Sequence, residues 1–461
     1  MSGLHVLIIP FPAQGHVIPL LELSLCLVQH GFKITFVNTE HTHNRVINAL
    51  HGRSIGDGIR LVSIPDGMEP GEDRNDIGKL CAHMPKVMPG KLEELIEEIN
   101  RVEEEKLACV IVDGSVGFAL EVAEKMKVKK AAFWPASVAI LAFFYSIPKM
   151  VEDGVIDTDG TPVKKQMFQL AHDIPEVDST NFVWSTIGGA LSQKTFFDYM
   201  CKNIEAVKVT ETLIGNSTYD FEPGAFNMVP NMLPIGPLLA SNRQGNSVGH
   251  FWQEDSACLE WLDQQQPNSV IYVAFGSFAI IDKIQFQEFA LGLELTNKPF
   301  LWVVRPDITD DAKEAFPEGF QERVANRGKM VGWAPQQKVL RHPSITCFFS
   351  HCGWNSTLEG LSNGLPFLCW PYFADQFMDE SYICDIWQVG LRFKRDENGI
   401  ITREEIKTKV AQLLGDENYK ARALKLRKAA IETVKEGGKS NKCFNKFIEW
   451  MKAQEPTTSR K

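Results

Sequence analysis

The 461-residue sequence predicts an α/β protein built as two halves, each a parallel sheet covered by helices, facing each other across a cleft. Three observations carry this. Short apolar strands alternate with amphipathic helical stretches. The alternation stops at a polar segment and then restarts. The chain is also too long for one ordinary core.

In the first half, HVLIIPFP (5–12) reads as a strand and 17–30 as a helix. Strands follow at 33–38 and 59–64. A charged helix over 90–106 leads to ACVIVD (108–113), and a helix over 116–126 leads to KAAFW (130–134). A helix over 136–150, an irregular stretch 151–190, a helix over 192–208 and a strand over 213–217 complete it. Runs such as 108–113 have no polar alternation, as expected for strands buried on both faces. The segment 240–250, ASNRQGNSVGH, reads as a linker. The rhythm resumes with strands at 269–276, 300–305, 345–351 and 366–371 and helices at 282–297 and 354–363. Two amphipathic helices, 417–435 and 439–453, end the pattern. This gives domains over 1–239 and 254–435, joined by a linker over 240–253. The helix within 436–461 is expected to pack back on the first domain, ahead of a polar tail.

Composition narrows the function. Hydrophobic residues at 44% and charged residues at 23% fit a globular chain. A net charge of -10 argues against nucleic acid or an anionic membrane as partner. The ten cysteines show no CxxC or zinc-like spacing, so they read as reduced thiols. Leu4–Pro12 is apolar but has no basic flank and is broken by Pro10, Pro12 and Gly15, so it does not read as a signal peptide. No apolar run approaches membrane-spanning length. A cytoplasmic monomer is expected.

Trp333–Gln376 holds the densest set of candidate functional residues. A strand ends at His351 and a helix begins almost at once, so Asn355 and Ser356 fall in its first turn. Unpaired N–H groups and the helix dipole make such a turn an anion site, and Gly353 permits close approach. The ordinary alternative is that Asn355 and Ser356 cap the helix. Glu359 lies one turn on, on the same face, where a carboxylate suits a ribose diol or is simply solvated. Trp333 suits stacking on a flat base, or a place in the core. Asp375 and Gln376 suit sugar hydroxyls, or a helix cap. The order base, diphosphate, ribose and sugar describes one extended ligand.

A second pair lies in the first half. His16 follows the first strand in PAQGHVIP, and Asp113 ends the strand ACVIVD. Both are at carboxyl ends of strands, where ligand crevices form. An Asp closing a buried strand is costly unless it is paired or functional. A lone His is more often structural, but His with Asp on its far nitrogen is a general-base arrangement.

The 44-residue segment Trp333–Gln376, with its WAPQ opening, central HCGWNSTLE and closing DQ, resembles the signature of plant secondary-product glycosyltransferases. That UDP-sugar-dependent family has the GT-B fold of two Rossmann-like domains. The resemblance implies that Trp333, Ala334 and Gln336 hold uracil and that His351, Asn355 and Ser356 hold the diphosphate, with Ser277 after the 269–275 strand as a further contact. It implies ribose at Glu359 and sugar at Trp354, Asp375 and Gln376, the terminal Gln accompanying glucose. His16 and Asp113 match the catalytic dyad. Inverting transfer of glucose from UDP-glucose to a hydroxyl then follows, with UDP-glucose as co-substrate and no other cofactor.

Asp157-Thr158-Asp159 is a D-x-D, the pattern some transferases use to hold a metal. It sits in a Gly-rich stretch and reads as a solvated turn, so no metal is expected. The acceptor is less legible. Phe11, Met84, Phe133, Trp134, Phe182 and Phe196 are nominated to line its pocket, from a wider set including Phe143, Phe144, Trp184 and Tyr199. A phenolic or flavonoid-like acceptor is the default, with terpenoids, steroids, carboxylic acids and C-glycosylation as alternatives. A dinucleotide oxidoreductase would need G-x-G-x-x-G after a strand, where this chain has FPAQGHVIP. A non-catalytic UDP-sugar-binding protein would be expected to lose His16 or Asp113.

Overall fold

A computed structural model describes residues 4–50, 55–102, 106–240, 249–309 and 314–453. In the first half the strands are β1 (His5–Ile9), β2 (Lys33–Thr39), β3 (Ile59–Ile64), β4 (Leu107–Asp113) and β5 (Lys130–Trp134). A small antiparallel pair follows, β6 (Met167–Phe168) and β7 (Val177–Asp178), then β8 (Thr212–Gly215) and β9 (Met232–Pro234). All but that pair form one parallel sheet in the order β3-β2-β1-β4-β5-β8-β9. The second half has β10 (Val270–Ala274), β11 (Phe300–Val303), β12 (Gly328–Val331), β13 (Ile345–Ser350), β14 (Phe367–Cys369) and β15 (Gly390–Arg392). They form a second parallel sheet, β12-β11-β10-β13-β14-β15.

Both orders reverse direction once among their central strands, between β1 and β4 and between β10 and β13. Where neighbouring strands send their following segments to opposite faces, a crevice opens at the carboxyl ends. Register aligns those ends, with Ile9 beside Val112 and Ala274 beside Ser350. The segments leaving β1 and β4 carry His16 and Asp113. Those leaving β10 and β13 carry Ser277 and His351–Ser356. The central strands are apolar and buried along their length because helices cover both faces.

The helix Lys439–Lys452 returns to the first sheet. Phe444, Phe447, Ile448 and Met451 follow helical spacing and enter one core with Val6, Ile8 and Ile111. Lys129 donates to the carbonyl of Ala453 at 3.1 Å, holding a C-terminal acceptor group at that end.

Several elements differ from the sequence reading. The helix expected over 90–106 spans Ile77–Arg101, with Pro85 and Pro89 inside it. Those prolines hid its first half, although Leu80, Met84 and Met88 keep the four-residue apolar spacing. The helix expected over 136–150 is two, Val138–Tyr145 and Ile147–Glu152, with Pro148 in the first turn of the second. The strand expected over 300–305 ends at Val303, leaving Arg305 beyond the sheet. Strands β9, β12 and β15 have only three or four residues, too few for a period to show. Residues 241–248 of the expected linker and the tail from 454 lie outside the described residues. Among the described residues no helix is long and apolar enough to cross a membrane.

Candidate active site

A cavity of about 290 Å³ lies between the two sheets, and both halves contribute to its wall. On the first bank, His16 is in the opening turn of the helix Gln14–Gln29, directly after β1. Its Nδ1 is 2.8 Å from Asp113 Oδ2. The other oxygen of Asp113 accepts from the Ser115 N–H at 2.8 Å, so the fully buried carboxylate has partners on both oxygens. An ionised Asp113 requires the proton on Nδ1, which leaves the Nε2 lone pair for the cavity. Burial lowers the proton affinity of the ring. The Asp113 charge, its hydrogen bond and the charge of Asp375 outweigh burial and raise the His16 pKa above 6.5. The ring is a base with one free nitrogen and 27% of its side chain exposed.

On the opposite bank the helix Trp354–Asn363 starts at Gly353 with no side-chain cap, so the capping alternative for Asn355 and Ser356 does not hold. Of its first-turn N–H groups, that of Trp354 meets the Asp375 carboxylate, and no N-cap side chain takes the others. His351 is wedged between two glycines: a Cβ on Gly276 or Gly353 would come within 2.5 or 2.7 Å of its Nε2. Gly276 also has a φ of 69°, which disfavours any side chain there. Burial and the nearby charge of Arg305 push the His351 pKa down to about 4, so the imidazole is neutral at pH 7. Ser277 follows Gly276 on the same wall.

Gln336 organises the next part. Its amide donates to Ser356 Oγ at 2.9 Å and to Glu359 Oε2 at 2.5 Å, and its own oxygen accepts from the Tyr272 hydroxyl at 3.1 Å. Glu359 is therefore neither solvated nor free to turn. Burial pushes its pKa up to about 7 against the bond from Gln336. Trp333 is half-buried on the cavity wall, outside the core proper. Its indole N–H donates to His250 at 3.3 Å, and its ring lies 29° from parallel to Trp252 at 6.5 Å. Ala334 is buried beside it.

Asp375 precedes the helix Gln376–Ser381 without capping it through its side chain. Burial raises its pKa to about 6, opposed by His16 and by the N–H groups of its own backbone and of Trp354. Asp375 and His16 thus feel each other's charge across the cavity both line. Gln376 Oε1 accepts from the Tyr372 and Phe373 N–H groups at 2.8 and 3.3 Å, which leaves its amide N–H groups to donate elsewhere. The Trp354 indole N–H is committed to the Asn216 carbonyl at 2.9 Å, so at the sugar end this residue offers only backbone. Asn355 donates to the Gly15 carbonyl at 2.6 Å and so ties the second bank to the residue before His16.

Of the nominated acceptor residues, Phe11, Trp134 and Phe196 line the cavity, as does Phe144 of the wider set. Met84, Phe133 and Phe182 do not. Phe133 and Trp134 are successive in β5 and point to opposite faces: Trp134 reaches the cavity, and Phe133 packs with Ile8 and Ile111 in the core under the C-terminal helix. Met84 is fully buried on the inner stripe of its helix. Phe182 is 4.9 Å from Phe143 and 5.4 Å from Trp184 in an aromatic cluster behind the wall. The Tyr199 hydroxyl is used on the Ser115 carbonyl at 2.6 Å. The wall itself also takes Ile140, Val183, Ile187 and Met200, aliphatic side chains with no sequence signal of their own.

Two features escaped the sequence. Arg305 is buried beneath the 276–279 turn, where it donates to the carbonyls of Gly276 and Ala279 and to Asp307 at 2.9 Å. A charge at the end of an apolar strand, the logic that selected Asp113, would have found it. The Ala374 N–H donates to Thr186 Oγ1 at 2.7 Å, linking the acceptor-side loop to the residue before Asp375. At the D-x-D, Asp157 Oδ1 accepts from the N–H groups of Asp159 and Thr161 at 2.9 Å each, a local turn, and Asp159 pairs with Lys194. Among the described residues no group of three His, Cys, Asp or Glu side chains is placed to hold a metal.

Known proteins resemble this chain in sequence and fold. A family model described as UDP-glucoronosyl and UDP-glucosyl transferase matches residues 194–432. UDP-glycosyltransferase 83A1 of Arabidopsis thaliana is 44% identical, covering 98% of each chain. A UDP-glucosyltransferase from Polygonum tinctorium capable of glucosylating indoxyl, solved with 3,4-dichloroaniline, superposes with a TM-score of 0.82 at 26% identity, over 98% of this chain and 99% of that one. Phytolacca americana UGT2, solved with UDP-2fluoro-glucose and pterostilbene, gives 0.80 at 26% identity over 98% and 100%.

Proposed function

The chain belongs to the UDP-glucoronosyl and UDP-glucosyl transferase family and has its two-domain GT-B fold, and from that premise we propose that it transfers glucose from UDP-glucose to a hydroxyl of a small lipophilic, phenolic-type acceptor with inversion. As a UDP-glycosyltransferase it takes a UDP-sugar as co-substrate. The finer assignment rests on one observation above the others: the His16–Asp113 pair, closed at 2.8 Å, faces the Trp333–Gln376 wall across one cavity.

His16 Nε2 takes the acceptor proton. The acceptor oxygen attacks the anomeric carbon from the side opposite UDP, so an α-linked donor gives a β-glucoside. Asp113 holds the imidazole tautomer and stabilises the imidazolium. Such base catalysis contributes on the order of 10²–10⁴-fold. Charge developing on the departing diphosphate meets the helix start after Gly353, where Asn355 and Ser356 lie in the first turn, with the neutral imidazole of His351 beside it. Trp333 stacks on uracil, Glu359 takes the ribose diol, and Asp375 with the Gln376 amide takes the glucose hydroxyls.

Glucose is supported by that amide, whose N–H groups remain available, and by the fluoro-glucose nucleotide bound to one structural neighbour. An aromatic acceptor is supported by the wall of Phe11, Trp134, Phe144 and Phe196, by the aromatic compounds bound to both neighbours and by the indoxyl that one of them glucosylates. The test is a matrix of UDP-glucose, UDP-galactose and UDP-glucuronic acid against phenols, terpenoid alcohols, steroids and carboxylic acids, with EDTA present and product anomers assigned by NMR. UDP-glucose with phenols giving β-glucosides is expected. α-Glucosides, or a rate abolished by EDTA, contradict the mechanism, and a preferred terpenoid or acid contradicts the acceptor assignment.

A further inference from the structure

The donor wall presents little mobile positive charge to a ligand carrying a diphosphate. His351 is neutral, and Arg305 is buried with its guanidinium committed to two carbonyls and Asp307. Two arginines line the cavity from the first domain, Arg45 and Arg74. Arg74 is fully engaged, donating to Asp66 and to the carbonyls of Met68, Glu69 and Glu72.

Arg45 is different. It projects from the helix Glu40–Leu50, which follows β2. Its guanidinium lies over the rings of Phe251 and Trp252, 4.7 and 5.2 Å from their centroids, and has no hydrogen-bonded partner among the described residues. Trp252 in turn lies against Trp333, the base platform. On its other side Arg45 feels the charges of Asp307 and Arg305, the pair that supports the Gly276-Ser277 turn. The stem is held by aromatic faces while the donor groups remain available. Arg45 lines the same cavity as Trp333 and the Gly276-Ser277 turn, from the first domain.

We propose that Arg45 reaches across the cleft and binds the diphosphate of the UDP-sugar, so that the first domain contributes a cation to donor binding. This rests on the UDP-sugar reading of the wall. An arginine fork matches phosphate oxygens, and binding them supplies the partners its guanidinium lacks. It also ties donor binding to both domains, because Arg45 lies on the helix after β2 of the first sheet and Ser277 in the turn after β10 of the second.

The test uses the full chain with UDP, UMP and uridine as probes, their affinities read by titration calorimetry at low and high salt. Arg45→Gln should weaken UDP roughly tenfold and leave uridine within about twofold, flattening the salt dependence for UDP. Arg45→Lys should recover part of the loss. KM for the UDP-sugar should rise while KM for a neutral acceptor holds. Equal weakening of UDP and uridine would make Arg45 only a prop for the Phe251–Trp252 wall and overturn the proposal, as would unchanged UDP affinity or an effect confined to acidic acceptors. If Arg45→Gln does not fold, Arg45→Met, which keeps the stem on the rings, carries the same comparison. Wild-type protein that binds no UDP would instead refute the donor reading itself.

Discussion

The two banks of the cavity are built by different means. On the donor bank several polar side chains are fixed by other groups. Gln336 holds Ser356 and Glu359, the Tyr372 and Phe373 backbone holds Gln376, and two glycines frame His351. The acceptor pocket is lined mainly by apolar side chains from several separate elements, such as Phe11, Trp134, Phe144 and Phe196, positioned by packing. One bank recognises by fixed donors and acceptors, the other by shape. A fixed polar site rejects a wrong ligand strongly because unpaired buried groups are expensive. An apolar pocket discriminates by only about 1–3 kcal/mol per methylene-sized change. Strict donor choice and a tolerant acceptor range should therefore coexist in one enzyme.

The sharpest way to break the donor bank is Gly276→Ala. The new methyl would meet His351 Nε2 at 2.5 Å on a backbone with φ 69°. Strain of about 1–2 kcal/mol and displacement of the imidazole together should weaken UDP by about a hundredfold or more, measured by calorimetry. The acceptor bank should respond far less. Phe196→Ala should raise acceptor KM about three- to tenfold and shift the ranking toward bulkier acceptors, with KM for UDP-glucose unchanged. An equal rise in both KM values would show that the banks are not independent.

The seam behind the cavity gives a smaller effect that depends on pH. Glu222 is fully buried and accepts from the Ser217 hydroxyl and the Ala139 N–H. Burial pushes its carboxyl up to about 7 despite those bonds. Between about pH 4.5 and 7 the native protein holds a proton that the unfolded chain has lost, so stability falls as pH rises through that window. Glu222→Gln has no proton to lose there. Denaturant titrations at pH 5 and 7.5 should show wild type losing up to about 3 kcal/mol relative to the variant. A constant difference would mean that Glu222 is ionised in the native state.

The contrast between the banks also explains what could be read from the chain. The proposed donor bank is largely one continuous 44-residue segment, so the order of its polar groups is visible in the chain. His16 and Asp113 are 97 residues apart, yet both leave carboxyl ends of apolar strands, which is a local signal. The acceptor bank depends on which face a residue takes. Phe133 and Trp134 look alike as candidates until β5 sends them opposite ways. Met84 and Phe182 are as aromatic or apolar as their lining neighbours but sit one layer deeper. Arg45 gave no motif at all, because its significance lies in what other segments fold against it, whereas Arg305 carried the strand-end signal that Asp113 did. Packing decides these positions, and single-residue chemistry does not.

The central claim is that His16 acts as the base on a donor site that exists without it. The direct measurement is His16→Ala, with UDP affinity and kcat determined on the same preparation. UDP affinity within about twofold of wild type, with kcat lower by about 10²–10⁴-fold, is the expected result. Transfer at the wild-type rate by a His16→Ala protein that still binds UDP would contradict it.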